Sequence, residues 1–326
     1  MKEAIKQFLE SFRAKKILVI GDIMLDEFIW GKVSRISPEA PVPVVEVQRE
    51  EFFTGGAANV ARNLRPFGVS VLMMGRVGKD REGKQLLQLL KKEGVKTDYI
   101  LNTSTLPTIV KTRIIAKTQQ MVRVDKEVCD GLSQEHFARI KTLLKKALPE
   151  VDAVIIEDYG KGFVTQSLVD EVAKQCKKYK KIWTVDPNPN NPLNWFGATA
   201  IKPNRNEAFL FSGVLFSEDK KQLQRVGETL LKRWKAQLLL ITLGEHGMQL
   251  FQKGKSSYAS ATKAREVFDV SGAGDTAIAI FTLALSAGAT PQEATEMANH
   301  AAGVVVGKLG TATLTASELL ESFQRG

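Results

Sequence analysis

The residues best suited to chemistry lie at positions 269–276, in the run Asp-Val-Ser-Gly-Ala-Gly-Asp-Thr. The spacing predicts a short strand over 266–270, a small-residue turn, then a helix over 275–287. Gly272, Ala273 and Gly274 leave the backbone bare where that helix begins. Unbonded N–H groups and the positive end of the helix dipole therefore meet there and make a ready anion site. Asp275 stands in its mouth. A carboxylate repels a phosphate, so a plain phosphate cradle has no use for one. A centre that stabilises a travelling phosphoryl group and also takes a proton from the attacking hydroxyl needs one. Phosphoryl transfer is the chemistry indicated.

Two blander readings of the same run exist. Gly272 to Ala277 fits a loose dinucleotide fingerprint, G-x-G-x-x-A, but the acidic residue expected to close a second strand is missing, because residues 292–300 read as helix. A glycine-rich helix cap with a capping aspartate needs no chemistry at all. Taken alone, the run favours the cap. The rest of the chain supplies the weight.

Further candidates lie where apolar runs end in polar residues. The run from Lys16 closes in Gly21-Asp22, with Asp26 four residues on, so two carboxylates are expected at one sheet edge. Asp22 reads as a turn or cap aspartate, whereas Asp26, set after apolar residues 23–25, could bind sugar hydroxyls. Gly55-Gly56-Ala-Ala-Asn59 is a tight turn feeding a helix, with backbone open to a ligand and an amide able to donate and accept. Asn204 and Glu207 stand three apart at a helix start, where they hold water around a Mg²⁺–phosphate or simply cap the helix. Residues 242–247, Thr-Leu-Gly-Glu-His-Gly, join two strands as a hairpin would. Gly303 to Leu309 is not a phosphate-binding P-loop: it is one residue short and lacks the Ser/Thr, so helix packing explains it.

The elements that must position these residues follow from periodicity. After residue 128, apolar strands at 151–156, 182–185, 198–201 and 238–241 alternate with helical stretches, the pattern of a parallel sheet covered on both faces. Their ends are polar: Glu157-Asp158, Asp186-Pro187, Lys202-Pro-Asn204 and Thr242-Leu-Gly244. Two β-rich excursions, the proline-broken segment 34–51 and residues 108–125, predict a small second sheet that serves as a lid, a dimer surface or both. The fold class expected is a three-layer α/β/α, doubly wound, mostly parallel sheet with that appendage.

Composition sets the outer bounds. The 326 residues are 44% apolar and 25% charged, ordinary for a globular protein, and suffice for one large α/β domain with an appendage. A net charge of +10 suits an anionic small molecule, and no basic-aromatic interleaving points to nucleic acid. Cys129 and Cys176, with His136, His246 and His300 scattered, form no zinc constellation and suggest a reducing compartment. Residues 5–12 have amphipathic-helix spacing without a secretory core, and the longest apolar stretch, 277–289, is too short to span a bilayer. A cytoplasmic, membrane-free protein is expected.

Together, Gly55-Gly56-Ala-Ala-Asn59, Asn204-x-x-Glu207 and the run from Asp269 to Asp275 resemble the ribokinase-like (PfkB-type) carbohydrate kinases, over roughly residues 16–320. The wording of residues 21–26, 37–44 and 301–311, and Gln119-Gln120 with Arg123 and Asp125, is similar to the kinases of D-glycero-D-manno-heptose 7-phosphate in the ADP-heptose route to lipopolysaccharide. The resemblance implies ATP and Mg²⁺, with a single kinase domain over 1–326 and a lid sheet from about 29–53 and 104–128. It implies Asp275 as base, with the amides of Gly272, Ala273 and Gly274 as anion hole. Asp26, Gly55, Gly56 and Asn59 would hold sugar hydroxyls, and Arg113, Arg123 and Lys161 are candidates for the sugar phosphate. Asn204 and Glu207 would organise Mg²⁺ through water, while Thr242, Gly244, Gly247 and Asn299 frame ATP. Asp269, Ser271, Val305, Lys308 and Gly310 fall on ligand positions for a monovalent cation such as K⁺, and Asn299 stands where some relatives carry histidine. A homodimer through the lid sheet is expected. So is a separate enzyme for nucleotidyl transfer, since some heptose kinases continue into such a domain. Other sugar kinases of this fold, a non-catalytic sugar- or nucleotide-binding regulator and a dinucleotide-dependent oxidoreductase are the competing functions.

Overall fold

A computed structural model describes residues 2–117, 119–263, 267–308, 310 and 312–324. Glu266, Leu309 and Thr311, which belong to runs singled out above, lie outside them. The chain opens with α1 (Lys2–Phe12), β1 (Lys16–Gly21), β2 (Ile23–Ile36), β3 (Pro43–Gly56) and α2 (Ala57–Leu64). There follow β4 (Ser70–Met74), β5 (Arg76–Gly78), α3 (Arg81–Lys92), β6 (Leu101–Thr103), β7 (Ile109–Ala116) and β8 (Gln119–Lys126). The regular half runs α4 (Gln134–Ala147), β9 (Ala153–Glu157), α5 (Gln166–Tyr179), β10 (Ile182–Asp186), β11 (Ala200–Ile201), α6 (Arg205–Ser212) and α7 (Lys220–Trp234). It ends with β12 (Leu238–Thr242), β13 (Met248–Gln252), β14 (Tyr258–Ser260), α8 (Ala273–Ser286), α9 (Pro291–Val306) and α10 (Ala316–Ser322).

Eight strands form the main sheet in the order β14-β13-β12-β11-β10-β9-β1-β4. All pairings from β12 to β4 are parallel, and β13 and β14 turn back antiparallel at one edge. Buried on both faces, β9 reads Ala-Val-Ile-Ile-Glu without alternation, as strands covered twice do. One apolar core lies under α1, α2, α3, α8 and α9, and the other under α4, α5, α6 and α7. This is the doubly wound architecture that the strand–helix alternation predicts. Its carboxyl edge gathers the ends of β1, β9, β10, β11 and β12, where ligands bind in such sheets.

A second sheet, β3-β2-β7-β8, is built from both β-rich excursions. β2 and β3 are each 14 residues long and pair antiparallel from Ile23 opposite Gly56 to Ile36 opposite Pro43. The sheet thus starts one residue after Asp22 leaves β1, nearer the main sheet than the spacing suggested. Asp26 therefore lies on β2 rather than on the carboxyl edge of the main sheet, a correction to the expected pairing of the two carboxylates.

Residues 267–270, the described part of the expected strand before the glycines, are not a strand. They have no sheet partner; the amides of Phe268 and Asp269 instead donate to Val306 O at the end of α9. Apolar patterning without a neighbour to pair with does not make a strand, and Val267, Phe268 and Val270 remain exposed. Helix α8 begins at Ala273, two residues earlier than the spacing predicts, with Gly272 as its N-cap at φ 78°. That left-handed turn is open to glycine at no steric cost.

Candidate active site

Asp275 lies in the first turn of α8, and its side chain is buried with two donors aimed at it. Asn59, from the first turn of α2, donates Nδ2 to Oδ2 at 2.6 Å. Tyr159, from the loop after β9, donates its hydroxyl to Oδ1 at 3.1 Å. Burial pushes the carboxyl up to about 6, even though both hydrogen bonds and Lys202 favour its charged form. A group poised near neutrality suits proton abstraction. Because a carboxylate must face the amide's N–H₂, Asn59 Oδ1 points away from it, and that oxygen is buried without a partner among the described residues. A ligand hydroxyl is the kind of donor that satisfies such an orphan. The rest of Asn59 is locked: its carbonyl accepts from Asn63 Nδ2, and Asn63 Oδ1 accepts from Thr276.

Beneath Asp275 the strand ends deliver Glu157, Asp186 and Lys202. Oxygens of Glu157, Asp186 and Asp275 lie within 4.8 Å of one another. Lys202 Nζ bonds Asp186 at 2.6 Å, so an ammonium offsets part of this charge. Burial drives Glu157 well above the carboxylate range, and the charges of Asp186 and Asp275 add to the shift. Burial alone would lower Lys202, but Asp186 and Glu157 raise it, so it stays charged. A methyl at Gly274 would stand 3.5 Å from that ammonium, so the buried cation sits against the glycine turn. Sequence reasoning noted these strand ends but assigned none of the three a role.

The expected nucleotide residues share one cleft. Thr242, Gly244, Gly247 and Asn299 line a cavity of 620 Å³ together with Ala273 and Gly274, so it opens onto the glycine turn. The amide of Asn299 donates to Ser260 Oγ at 2.7 Å and to Ala261 O at 2.6 Å, pinning the end of β14 beside α9. Next to it a hollow of 550 Å³ is lined by Asp186, Lys202, Asn204, Glu207, Thr242 and Gly274. Asn204 and Glu207 form a complete capping box on α6: Asn204 Oδ1 accepts from Glu207 N at 2.9 Å, and Glu207 Oε2 accepts from Asn204 N at 2.8 Å. Capping uses one oxygen of Glu207 and leaves the other for the hollow. Carboxylate and amide oxygens beside a cleft that meets an anion site fit the hydration shell of a hard divalent cation.

The candidate ligands for the sugar phosphate, Arg113 and Arg123 on the second sheet and Lys161 in the loop after β9, are already paired. Arg113 Nη1 bonds Asp26 Oδ1 at 2.5 Å, Arg123 is held by Asp125 at 2.9 Å, and Lys161 Nζ bonds Glu127 at 2.6 Å. Lys111 joins Asp125 to Glu127, so the charges run as a ladder across β7 and β8. A phosphate would have to replace a carboxylate at any of the three cations. Gly55 has a local reason to be glycine: a Cβ there would collide with Asp26 Oδ2, so the carboxylate lies flat on the turn. Asp22 is structural, as its turn reading had it. Its buried carboxylate accepts the amides of Tyr159, Lys161 and Phe163 and so fixes the loop that carries Tyr159.

The five positions expected to hold a monovalent cation come from two segments that the fold brings together. Asp269 Oδ1 accepts from Ser271 N and Oδ2 from Gly310 N. The carbonyl of Gly310 accepts one backbone amide, from Ala312, and keeps a second lone pair, whereas that of Val305 already accepts from both Gly307 and Lys308. Lys308 contributes no side chain here, because its Nζ bonds Thr313 O and Glu318.

A doubly wound sheet whose carboxyl edge holds a buried carboxylate in a helix mouth, beside a cleft fit for a nucleotide, defines the class: a phosphotransferase. Residues 14–318 match the profile described as "pfkB family carbohydrate kinase". The chain belongs to that family and acts as a phosphotransferase on a sugar hydroxyl. Curated relatives include proteins named "Bifunctional protein HldE". That of Desulfatibacillum aliphaticivorans is 44% identical over 313 residues, 96% of this chain and 64% of the relative. That of Helicobacter pylori is 41% identical over 306 residues, 94% of this chain and 65% of the relative. The chain thus spans just under two thirds of the length of these relatives. Among solved structures, the Arabidopsis thaliana ribokinase complexed with ribose and ATP superposes with a TM-score of 0.72 at 19% identity, covering 95% of this chain and 99% of that one. Phosphofructokinase-2 from Escherichia coli in complex with potassium gives 0.77 at 17% identity, with the same coverage. At such identities the likeness concerns the fold.

Proposed function

We propose that this chain transfers the γ-phosphoryl group of ATP to O1 of D-glycero-β-D-manno-heptose 7-phosphate, in the route to ADP-heptose. The observation that carries the phosphoryl-transfer part is Asp275, buried at the mouth of α8 and gripped by Asn59 and Tyr159. The identity of about 40% to relatives named HldE supports heptose as the sugar.

In this reading Asp275 takes the proton of the acceptor hydroxyl as that oxygen attacks the γ-phosphorus. The amides of Gly272, Ala273 and Gly274 receive the charge on the transferring group, that of Ala273 by leaving Val270 O, to which it donates at 3.3 Å, with Lys202 adding a fixed positive charge from below. Thr242, Gly244, Gly247 and Asn299 frame the nucleotide. Asn59, Asp26 and the Gly55-Gly56 turn hold the sugar, whose phosphate competes for Arg113, Arg123 or Lys161. Bound Mg²⁺, held by Asn204 and Glu207 through water, would neutralise phosphate charge. Asp269 and the carbonyls around it would take a K⁺. The second sheet is the lid and the face through which two copies pair, and the chain works in the cytoplasm. ADP release measured across a panel of heptose 7-phosphate, ribose, fructose 1-phosphate and nucleosides tests the reading. Turnover confined to another acceptor replaces the sugar, and silence on all of them favours a binding regulator.

A further inference from the structure

Tyr159 belongs to none of the motifs that carry the sequence reading, yet its hydroxyl is one of two donors on the carboxylate of Asp275. Its surroundings leave it little freedom. The loop that carries it, residues 158–163, wraps a buried carboxylate: Asp22 accepts the amides of Tyr159 at 3.1 Å, Lys161 at 3.1 Å and Phe163 at 3.0 Å. Asp158 adds a second fastening by accepting from Gly160 N at 2.8 Å and Asn191 Nδ2 at 3.0 Å. Three amides on one carboxylate hold a backbone as firmly as a turn of helix does, so the phenol stays where it is aimed.

We infer, resting on the assignment of Asp275 as base, that Tyr159 is a positioning residue for it: with Asn59 it fixes the plane of the carboxylate, so that one lone pair faces the acceptor hydroxyl. An aspartate carboxylate otherwise turns with little resistance about its last torsion. One donor leaves it free to pivot about that bond, whereas donors on both oxygens, from α2 on one side and the β9–α5 loop on the other, stop the rotation. Base catalysis depends steeply on that geometry.

The titratable groups facing Asp275 are Glu157 from β9, Asp186 from β10 and Lys202 after β11. Burial raises the phenol of Tyr159 well above its ordinary value, and the charge of Asp275 raises it further. It therefore remains a donor at every working pH and favours the ionised base.

Turnover of ATP with D-glycero-D-manno-heptose 7-phosphate, followed against pH, tests the inference. Tyr159→Phe should lower kcat by about 10- to 100-fold, the scale of a misplaced catalytic group. It should leave KM for ATP within about twofold and move the acid limb of the profile to higher pH. Replacing Tyr159 with 3-fluorotyrosine, a stronger donor on an intact ring, should move that limb to lower pH, and this variant decides the matter if the phenylalanine protein does not fold. An unchanged kcat and acid limb in Tyr159→Phe, whatever its melting temperature, overturns the positioning role. Near-normal turnover in Asp275→Asn would instead remove the base reading beneath it, so the two failures are told apart.

Discussion

At the scale of single residues, the strongest demand falls on Asp275, which the fold holds at a cost. Its ordinary pKa of 3.8 is raised to about 6, chiefly by burial. A carboxyl whose folded value lies above its unfolded one favours the folded state only while protonated. Its contribution is complete below about pH 4 and is lost as pH rises towards 6. A shift of about two units corresponds to roughly 3 kcal/mol. Asp275→Asn should therefore raise thermal stability at pH 8 but not at pH 4, while lowering kcat by about two to four orders of magnitude and sparing ATP binding. Calorimetry at the two pH values with single-turnover kinetics checks all three parts, and a variant destabilised at pH 8 contradicts the account. In the unaltered protein kcat should fall as pH drops through about 6, because Asp275, the proposed base, takes up its proton. This residue was legible in the sequence because glycines, a helix start and an acid coincide there. The roles of Tyr159, Glu157, Asp186 and Lys202 were not, since they come from three strand ends far apart in the chain, those of β9, β10 and β11. Only the order β11-β10-β9 sets them side by side.

At the scale of elements, the parallel sheet was readable because each strand is an apolar run closed by polar residues, with a helical stretch beyond it. What failed is instructive in its cause. Residues 267–270 have a strand's composition, but no strand lies beside them to accept their hydrogen bonds, and those of Phe268 and Asp269 go to the end of α9. The placing of Asp26 failed for a related reason: β2 starts immediately after Asp22, and only the partner β3, paired back to Gly56, reveals that the chain has changed sheets. Asn204 and Glu207 pose the opposite problem, since the cap and the proposed cation site would use the same two residues. The capping box occupies Glu207 Oε2 and Asn204 Oδ1, and both residues also line the hollow beside Gly274. Glu207→Gln keeps an acceptor for the Asn204 amide and should leave the melting temperature nearly unchanged while raising the Mg²⁺ concentration needed for half-maximal rate. Glu207→Ala loses the box as well and should cost about 1 kcal/mol. Equal Mg²⁺ requirements in the Gln variant and the parent protein would reduce this pair to a helix cap.

At the scale of the molecule, the charge of +10 means less for the substrate than composition suggested. Lys91 and Lys92, Lys145 and Lys146, Lys177 and Lys178, and Lys232 and Arg233 occupy the last turns of α3, α4, α5 and α7, where cations complement the helix dipole. In a parallel sheet those helix ends lie at the edge opposite the site. The anion binding proposed above is then local, at α8 and at the ladder on β7 and β8. The second sheet raises a separate question. Every residue of β8 is exposed, Met121, Val122 and Val124 among them, and Ile36 and Val47 add apolar surface from β2 and β3. A monomer seldom leaves such a sheet bare. Its outer strands also offer unpaired backbone groups to a second chain. An interface of standard size, about 1,600 Å² in total, is within reach of a four-stranded sheet. The chain should sediment as a dimer at micromolar concentration, and Val122→Lys with Val124→Lys should shift it to monomer by placing like charges against each other across the seam. Because Lys111, Asp125 and Glu127 tie this sheet to Lys161, the monomer should also lose affinity for the sugar phosphate more than for ATP. A wild-type protein that sediments as a monomer while turning over normally leaves the sheet as a lid alone.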